Sequence, residues 1–348
     1  MKKKIAILGS TGSIGKTLIQ VIKKDKKNFK IELLSTNQNY KEVLNQAKIF
    51  NVKNIIITDK KSYLRLKKKK LGNIKIFNNF NSLNVIFKNK IDYVMSSISG
   101  IYGLEPTLKI IKHTKKIAIA NKEAIICGWH LIKRDIKKFK TSFIPVDSEH
   151  FSIFYALQGN NISNVEKIYL TASGGPLNNI PKKKLKSVKI SEAINHPNWK
   201  MGKKISVDSA TMMNKVFEII EAKKIFNYKY SQLKILIHPN SYVHAIVKFN
   251  NGLIKMLMHD TNMRIPIFNS FYRNYEKKIS TKNIDFDILN NLDFSNVDLI
   301  KFPVVNILKK MPNKDSLFET VLVSANDKLV NLFLNKKITF NQISTLLF

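Results

Sequence analysis

Cysteine is almost absent from this chain of 348 residues, which has Cys127 alone. A single cysteine excludes any disulfide within the chain, so a reducing, cytoplasmic location is expected. Long apolar runs are also lacking, and no stretch reaches the roughly 18 residues that a membrane span needs. The apolar run after the basic N-terminus is short and leads into a glycine-rich turn, which predicts a first strand rather than a signal peptide. We therefore expect a soluble protein with no membrane partner.

Arginine is scarce as well, with only four residues in the chain, whereas lysine and arginine together number 60 against 24 acidic residues. The formal net charge of +36 could attract nucleic acid or an anionic membrane. However, the guanidinium groups that read guanine edges and grip phosphates are nearly missing. The lysine excess accompanies many Asn and Ile residues, whose codons are A/T-rich. We therefore predict no nucleic-acid partner.

Short β-rich runs alternate with helical patterns through the first third of the chain. This βαβ rhythm predicts a parallel sheet of six strands before Asp147. The predicted strands contain the sequences KIAIL, KIELLS, NIIIT, DYVMSS, KIAIA and FIPV. The fold class expected for this part is α/β, with a Rossmann-like, doubly wound sheet.

The pattern changes after Asp147, where several strand-like runs surround a helix-like segment from Ala210 to Phe226. This predicts a central α+β domain. A polar connection from about Ile284 then leads to helical segments, the longest from Asp315 to Leu334. We therefore predict three domains: a dinucleotide-binding domain over 1–146, a catalytic domain over 147–283, and a linker with a C-terminal helical domain over 284–348.

A glycine-spaced stretch, GSTGSIG from Gly9 to Gly15, follows the first predicted strand and opens a helix. Glycines allow a tight turn and close approach of the backbone to a pyrophosphate, and the helix N-terminus offers free N–H donors. The spacing is G-x-x-G-x-x-G rather than G-x-G-x-x-G, so an ordinary glycine-rich turn remains an alternative. The favoured interpretation is a dinucleotide site.

The tip of the second strand reads LLSTNQNYK, where an NAD site would usually place a carboxylate against the ribose hydroxyls. No acidic residue is present at this tip, and the nearest preceding one, Glu32, lies inside the strand. Asn37, Gln38, Asn39 and, beside them, Lys41 could instead contact a 2′-phosphate at the adenosine end of the cofactor. The tip therefore favours NADP over NAD.

Two carboxylates, Asp147 and Glu149, follow the last predicted strand of the sheet in the sequence VDSEH. Their oxygens can converge on one Mg²⁺ or Mn²⁺ ion at the edge where open α/β sheets bind ligands. Asn214 and Glu218 are four residues apart and share a helix face, so Glu218 could complete the site. The alternatives are a solvated turn followed by a helix N-cap at Asp147, and an exposed helix face on which Asn214 or Lys215 pairs with Glu218.

A polar segment, NHPNWKMGKK, carries Trp199 and Met201 between Gly and Pro residues. A tryptophan outside regular structure suggests a lid over a substrate, and packing of Trp199 into the core is the competing interpretation.

These motifs occur together in one order: ILGSTGSIG, ANKE, VDSEH, SGGP, HPNW-x-MG-x-KIS-x-DSATMMNK and IHP. In this respect the chain resembles the 1-deoxy-D-xylulose 5-phosphate reductoisomerase family of the non-mevalonate isoprenoid pathway, from Lys4 to about Asn326. The resemblance implies an oxidoreductase that uses NADPH and one divalent cation (Mg²⁺, Mn²⁺ or Co²⁺). It would convert 1-deoxy-D-xylulose 5-phosphate, a small sugar phosphate, to 2-C-methyl-D-erythritol 4-phosphate. A homodimer is also implied.

The resemblance also implies roles for individual residues. The metal ligands would be Asp147, Glu149 and Glu218. The chemistry would involve these three together with Lys122. The substrate contacts would be Lys122, Ser148, Glu149, Ser173, His196, Trp199, Ser209, Asn214, Lys215 and Glu218. The cofactor contacts would be Thr11, Gly12, Ser13 and Ile14 at the phosphates, Asn37, Gln38 and Asn39 at the adenosine end, and Asn121, Glu123 and Gly202 at the nicotinamide.

The sequence departs from the family pattern in two places. Relatives commonly have a Gly-Lys-Asn type sequence at the second strand tip, and this chain lacks that lysine. It also ends at Phe348, so a shortened C-terminal helical domain is expected. A semialdehyde dehydrogenase with a similar glycine loop is the alternative enzyme, and it would need Cys127 as its nucleophile. A nucleic-acid or membrane-surface protein is the alternative from another class, which salt-sensitive DNA binding without NADPH affinity would reveal.

Overall fold

The computed structural model describes residues 2–199, 201–272, 277–314 and 316–348. Its strands are Lys3–Leu8 (β1), Phe29–Thr36 (β2), Asn54–Ile57 (β3), Lys75–Phe77 (β4), Tyr93–Ser96 (β5), Lys116–Ile119 (β6), Ser142–Pro145 (β7), Val165–Ala172 (β8), Leu233–Ile237 (β9), Val243–Phe249 (β10), Ile254–Met258 (β11) and Ser295–Asn296 (β12).

The α-helices are Ser13–Lys23 (α1), Tyr40–Phe50 (α2), Lys60–Lys67 (α3), Leu83–Ile86 (α4), Leu104–Ile111 (α5), Lys122–Lys138 (α6), Ser148–Ala156 (α7), Ile190–Ile194 (α8), Lys203–Ala210 (α9), Met213–Phe226 (α10), Arg264–Phe271 (α11), Phe286–Asn290 (α12), Phe318–Leu334 (α13) and Phe340–Leu346 (α14). Within the described ranges, none of these helices combines the length and apolar character needed to cross a bilayer.

The chain divides into two compact units. The first comprises Met1–Asp147 and Met263–Ile279, and the second comprises Ser148–Asn262 and Ser280–Phe348. These units follow the packing of the backbone, whereas the three predicted domains follow function. The functional boundaries at residues 146 and 283 therefore stay a prediction.

The first unit is built on a seven-stranded parallel sheet in the order β4-β3-β2-β1-β5-β6-β7. Its central strands are continuous apolar runs, as expected for a sheet covered on both faces, and Ile5, Ile7 and Leu34 are completely buried. Helix α1 packs its apolar stripe, including Leu18 and Ile22, into the same core. The predicted Rossmann-like α/β fold is confirmed.

The predicted number of strands in this sheet was wrong by one. The sequence analysis placed six strands before Asp147, and the structure adds β4 at the edge of the sheet. This strand has only three residues, none of them fully buried. It therefore carries neither the length nor the apolar run by which the other strands are recognised.

The second unit contains a five-stranded mixed sheet in the order β11-β10-β8-β9-β12. Strands β8 and β9 are parallel, and the other neighbours are antiparallel. Helices α7 and α10 supply Ile153, Ala156 and Ile219 to a core shared with Ile168 and Val247 of the sheet. This is the α+β arrangement that the sequence predicts.

The C-terminal helices form a separate apolar cluster in the second unit, where Phe333 of α13 and Phe340 of α14 pack with Val207 of α9. Asn326 donates a hydrogen bond to the buried Asp208 carboxylate at 2.8 Å. The predicted helical C-terminal part is thus present. Its predicted first residue, Asp315, lies outside the described residues, and α13 begins at Phe318.

The predicted single helix from Ala210 to Phe226 was wrong at its start. Helix α9 ends at Ala210, and α10 begins only at Met213. Met212 between them has a left-handed backbone with φ +66°, which a continuous α-helix cannot contain. The break sets the starting direction of α10, the helix that carries Asn214, Lys215 and Glu218.

Candidate active site

The glycine loop lies where β1 meets α1, and its backbone requires glycine. Gly9 has φ +80°, and a Cβ atom there would lie 2.7 Å from the Ser97 carbonyl oxygen. A Cβ atom on Gly15 would overlap the Gly9 carbonyl oxygen. Within the described part of the chain, no side chain caps the start of α1 at Gly12. The first N–H groups of this helix are therefore offered to an anion, as a pyrophosphate site requires.

Asn121 fixes the loop that follows β5. Its side chain accepts a hydrogen bond from Ala124 N at 2.9 Å, and it donates to the Ile98 carbonyl and, at 2.8 Å, to the Gly100 carbonyl. This buried amide thus caps α6 and holds the loop Ile98–Gly100 beside it. Lys122 and Glu123 begin α6 directly after this cap.

The three predicted metal ligands converge. Ligand oxygens of Asp147, Glu149 and Glu218 all lie within 4.8 Å of one another. Asp147 follows β7, and the chain continues directly into α7, so Glu149 lies in the first turn of a helix rather than in the predicted loop. Glu218 comes from α10 and is almost completely buried. Because Glu218 is buried, the exposed helix face does not describe it, whereas Asp147 is partly exposed and directly precedes α7, as a turn before a helix N-cap would be.

Two lysines compensate the charge of these carboxylates. Lys215 Nζ lies 2.6 Å from Glu149 Oε1 and also pairs with Glu218 Oε2. Burial, the largest single influence, would raise the pKa of Glu149, but the charges of Lys215 and His244 and the hydrogen bonds from Lys215 and Ser148 together hold that pKa well below its usual range. Burial opposes the charge of Lys215 as well, and the two carboxylates nevertheless raise its pKa. Lys122 Nζ lies 3.0 Å from Asp147 Oδ2.

The donor set fits a hard divalent cation. Three carboxylates supply the oxygen ligands that Mg²⁺ and Mn²⁺ favour. The Lys215 ammonium group is held between two of them, which shows that this position attracts positive charge. Asn214 donates a hydrogen bond to Glu218 Oε1 and so orients the deepest carboxylate. The predicted pairing of Asn214 with Glu218 on one helix face is confirmed.

Sequence analysis missed two residues beside this cluster. His150 and Glu221 are buried, and their ligand atoms lie within 4.8 Å of each other and of Asp147. The His150 ring nitrogen Nε2 donates to the backbone carbonyl of Glu218 at 2.9 Å. Glu221 follows Glu218 by three residues on the same helix face, and this spacing was the signal available in the sequence.

Ser173 and His196, both predicted substrate contacts, are paired. His196 Nδ1 accepts hydrogen bonds from the backbone N–H groups of Asn198 and Trp199, each at 3.1 Å. The proton of the neutral ring is therefore on Nε2, which lies 3.0 Å from Ser173 Oγ. Burial lowers the pKa of His196 to about 4, so the ring is neutral at physiological pH.

The Ser173 hydroxyl oxygen accepts a second hydrogen bond, from Gly175 N at 3.0 Å. With both acceptor positions in use, its own O–H is left to donate to a ligand. Gly175 has φ +71°, and a Cβ atom there would lie 2.5 Å from the Ser209 carbonyl oxygen. This close approach brings Ser173 and Ser209 into one region of the second unit.

Trp199 is half-buried in a segment without regular structure. Its ring meets the His244 ring edge-on, with centroids 6.2 Å apart, and His244 stacks on His259 at 3.7 Å. Burial, followed by the neighbouring His259, lowers the pKa of His244 to about 3. Trp199 thus contacts aromatic side chains while the segment that carries it stays irregular. Lys200, next in the lid segment, lies outside the described residues.

The side chains predicted to contact the adenosine end of the cofactor also make hydrogen bonds within the fold. Asn37 donates its side-chain amide to Thr58 Oγ1 at 2.9 Å, and the Asn39 side chain caps α2 by accepting from Glu42 N at 3.3 Å. Gln38 is exposed between them. Two of the three side chains at this tip are therefore oriented by the fold itself.

Comparison with known proteins gives one consistent family. Models described as 1-deoxy-D-xylulose 5-phosphate reductoisomerase match residues 5–128, and models of its C-terminal domains match residues 143–226 and 258–347. A reductoisomerase from Pelagibacter ubique (strain HTCC1062) is 65% identical over 99% of this chain and 90% of that protein. One from Clostridium kluyveri is 39% identical over 99% of this chain and 91% of that protein.

Solved structures agree with the sequence relatives. The reductoisomerase from Zymomonas mobilis in complex with NADPH superposes with a TM-score of 0.91 at 31% identity, covering 100% of this chain and 90% of that one. A reductoisomerase in complex with NADPH, fosmidomycin and magnesium gives the same TM-score and identity over 99% and 88%. The chain therefore belongs to the 1-deoxy-D-xylulose 5-phosphate reductoisomerase family.

Proposed function

We propose that this chain is an NADPH- and divalent-metal-dependent enzyme that rearranges and reduces 1-deoxy-D-xylulose 5-phosphate to 2-C-methyl-D-erythritol 4-phosphate. The observation that carries the proposal is the convergence of the Asp147, Glu149 and Glu218 carboxylates in a chain of this family. A semialdehyde dehydrogenase is not favoured, since the family models that match the chain are those of the reductoisomerase.

Asp147, Glu149 and Glu218 would hold the cation. A bound Mg²⁺, Mn²⁺ or Co²⁺ ion would supply a Lewis acid and a template for the neighbouring ketone and hydroxyl oxygens of the sugar. His150 acts on this site through the backbone of Glu218, to which it donates at 2.9 Å. Asn214 orients the Glu218 side chain. These contacts keep the carboxylates in place before substrate binds.

The Ser173 hydroxyl would donate to the substrate phosphate, because the His196 ring and Gly175 N already satisfy its acceptor positions. Ser209, Asn214 and Lys215 would add donors at the phosphate and the nearby hydroxyls. Fixing the phosphate away from the reacting carbons supplies binding energy for orientation.

Lys122 has its ammonium group 3.0 Å from Asp147 Oδ2, so it places a positive charge beside this carboxylate. We assign it charge stabilisation or proton transfer at the sugar oxygens, and Ser148 a contact with the substrate. Trp199 and Met201 would cover the substrate and exclude water.

The glycine loop would bind the NADPH pyrophosphate through Thr11, Gly12, Ser13 and Ile14 at the start of α1. Asn37, Gln38 and Asn39 would face the adenosine end, and Asn121, Glu123 and Gly202 the nicotinamide. NADPH would supply the hydride for the reduction. We place the reaction in the cytoplasm, where a chain with one cysteine needs no disulfide.

We also propose a homodimer, formed through strand β11. This strand is an edge of the second sheet, and it exposes Ile254, Met256 and Met258 on one face, with Leu253 beside them. An apolar edge strand invites pairing unless it is covered. The same strand of a second copy can cover it around a twofold axis, because such an interface uses one patch twice.

Light scattering after gel filtration is expected to give a molar mass of about twice the 40.1 kDa of one chain. Met256→Lys should shift it towards the monomer, because the edge would then carry a charge. Val85→Lys is the matched control, since Val85 is 74% exposed in the first unit. A monomer for the unmodified chain, or a dimer unaffected by Met256→Lys, would contradict the proposal.

The function itself is tested by following NADPH absorbance with 1-deoxy-D-xylulose 5-phosphate and Mg²⁺, Mn²⁺ or Co²⁺, and by identifying the product with ³¹P NMR. We expect NADPH oxidation coupled to one equivalent of 2-C-methyl-D-erythritol 4-phosphate. Absence of turnover with all three ions would refute the proposed function.

A further inference from the structure

An NADP-specific site needs a positive group for the 2′-phosphate near the tip of its second strand. This inference rests on the proposed use of NADPH. The tip lacks the lysine that the family commonly carries there, and the structure commits the Asn37 amide to Thr58 and the Asn39 side chain to the cap of α2. Lys41 in the first turn of α2 is a cation close to the tip, and a neighbouring segment supplies a second.

The neighbouring segment is the start of α3, which is tied to the tip by hydrogen bonds. Thr58 N donates to the Thr36 carbonyl at 3.1 Å, and Asp59 N donates to the Asn37 carbonyl at 3.3 Å. Ser62 Oγ donates to the Gln38 carbonyl at 3.4 Å. Side chains from the first turns of α3 consequently lie beside the tip of β2.

One cation of α3 is held in a defined place. The guanidinium carbon of Arg65 lies 5.6 Å from the centre of the Tyr40 ring, within the range of a cation–π contact. Tyr40 is the first residue of α2 and directly follows Asn39 at the tip. Arg65 remains exposed, so the contact orients its guanidinium group without burying it.

The one carboxylate at the start of α3 is already engaged. Asp59 caps this helix by accepting a hydrogen bond from Ser62 N at 2.8 Å. That backbone hydrogen bond, the largest influence on the group, lowers the pKa of Asp59. Its Oδ2 is thus engaged by the helix, whereas a site that favours NADH directs a carboxylate to the ribose hydroxyls.

We propose that Arg65, oriented by the ring of Tyr40, recognises the 2′-phosphate of NADPH in this chain and takes the place of the missing lysine. A planar guanidinium group offers paired N–H donors that match phosphate oxygens, and stacking on an aromatic ring preorganises it. Arg65 is then a specificity-determining residue supplied by α3 rather than by the tip of β2.

The test measures the dissociation constants of NADPH and NADH by nucleotide fluorescence, with the full-length chain and its Arg65→Gln, Arg65→Lys and Tyr40→Leu variants. Arg65→Gln is expected to weaken NADPH binding about tenfold or more, as loss of a charge-assisted hydrogen bond does, and to leave NADH binding unchanged. Arg65→Lys should be intermediate, and Tyr40→Leu should lose part of the NADPH preference.

Arg134→Gln is the matched control, because Arg134 is an exposed arginine of the same unit on α6, paired with Asp135. It should leave both dissociation constants unchanged. Equal weakening of NADPH and NADH by Arg65→Gln, or no change in either, would overturn the inference. The unmodified chain could prefer NADPH over NADH, and Arg65→Gln could lose that preference, without any conversion of 1-deoxy-D-xylulose 5-phosphate. In that case the proposed function fails and this inference stands. If the unmodified chain converts the substrate but Arg65→Gln keeps the preference for NADPH over NADH, the proposed function stands and this inference fails.

Discussion

Glu218→Gln is expected to lower kcat at least about 100-fold, because it removes one of three charged oxygen ligands from the proposed cation site. Glu218 is almost completely buried, and its partners Asn214 and Lys215 come from the same helix. The change keeps the size of the side chain, so NADPH binding should stay as in the unmodified chain. Steady-state kinetics with saturating Mg²⁺ measures the first effect, and nucleotide fluorescence measures the second.

The matched control is Glu166→Gln, which neutralises an exposed carboxylate paired with Lys248 in the same unit. It should leave kcat unchanged. Calorimetric titration with Mn²⁺ gives an independent measurement, since Glu218→Gln should lose the heat of one ion per chain. Normal turnover in Glu218→Gln would remove this residue from the metal site.

Among the variants proposed here, Lys215→Met should cause the largest decrease in the free energy of unfolding. Its ammonium group is the cation shared by Glu149 and Glu218, and all three side chains are at least 86% buried. Removing one partner of a buried ion pair typically costs about 3–5 kcal/mol, because the remaining charge stays buried without compensation. We expect a loss of that order in the free energy of unfolding, measured by urea denaturation without divalent cations.

Added Mg²⁺ should restore part of this loss, since a cation held by the carboxylates would again compensate their charge. The control is Lys248→Met, which breaks an exposed ion pair with Glu166 and should cost no more than about 1 kcal/mol. A Lys215→Met variant as stable as the unmodified chain in EDTA would show that Lys215 does not compensate these carboxylates.

The parts of the fold that depend on local pattern could be predicted from the sequence. Buried parallel strands such as β1 and β5 are continuous apolar runs, and the glycine loop marks the start of α1. Strand β4 could not be predicted, because three half-exposed residues at a sheet edge carry no periodic signal. The break at Met212 was missed since methionine is a good helix former and its left-handed backbone is imposed by tertiary packing.

In the candidate site, too, features with a local sequence pattern were predicted and contacts between distant segments were not. The spacing of Asp147 and Glu149 pointed to a shared cation, the family resemblance added Glu218, and the oxygens of all three converge. The Nε2 of His150 reaches the backbone of Glu218, a contact across 68 residues that no local pattern encodes. The pairing of Lys215 with Glu218 was among the alternatives that the helix spacing offered, but its second pairing, with Glu149, joins residues 66 positions apart and was not evident.

At the adenosine end, the roles of Asn37, Gln38 and Asn39 in cofactor binding stay a prediction. Asn37 and Asn39 looked suited to bind the cofactor, yet asparagine is also a preferred capping residue, and the structure uses both side chains within the fold. Arg65 lies 28 residues beyond Asn37, on the helix after the next strand. Only the packing of α3 beside β2 brings it into consideration.

The most direct measurement of the central claim is a metal titration of turnover. The purified chain is stripped with EDTA, and NADPH oxidation with 1-deoxy-D-xylulose 5-phosphate is followed as Mg²⁺ is returned. The three carboxylates predict no turnover in the stripped protein, recovery with one ion bound per chain, and an unchanged dissociation constant for NADPH throughout. Full turnover in the stripped protein would contradict a cation held by Asp147, Glu149 and Glu218.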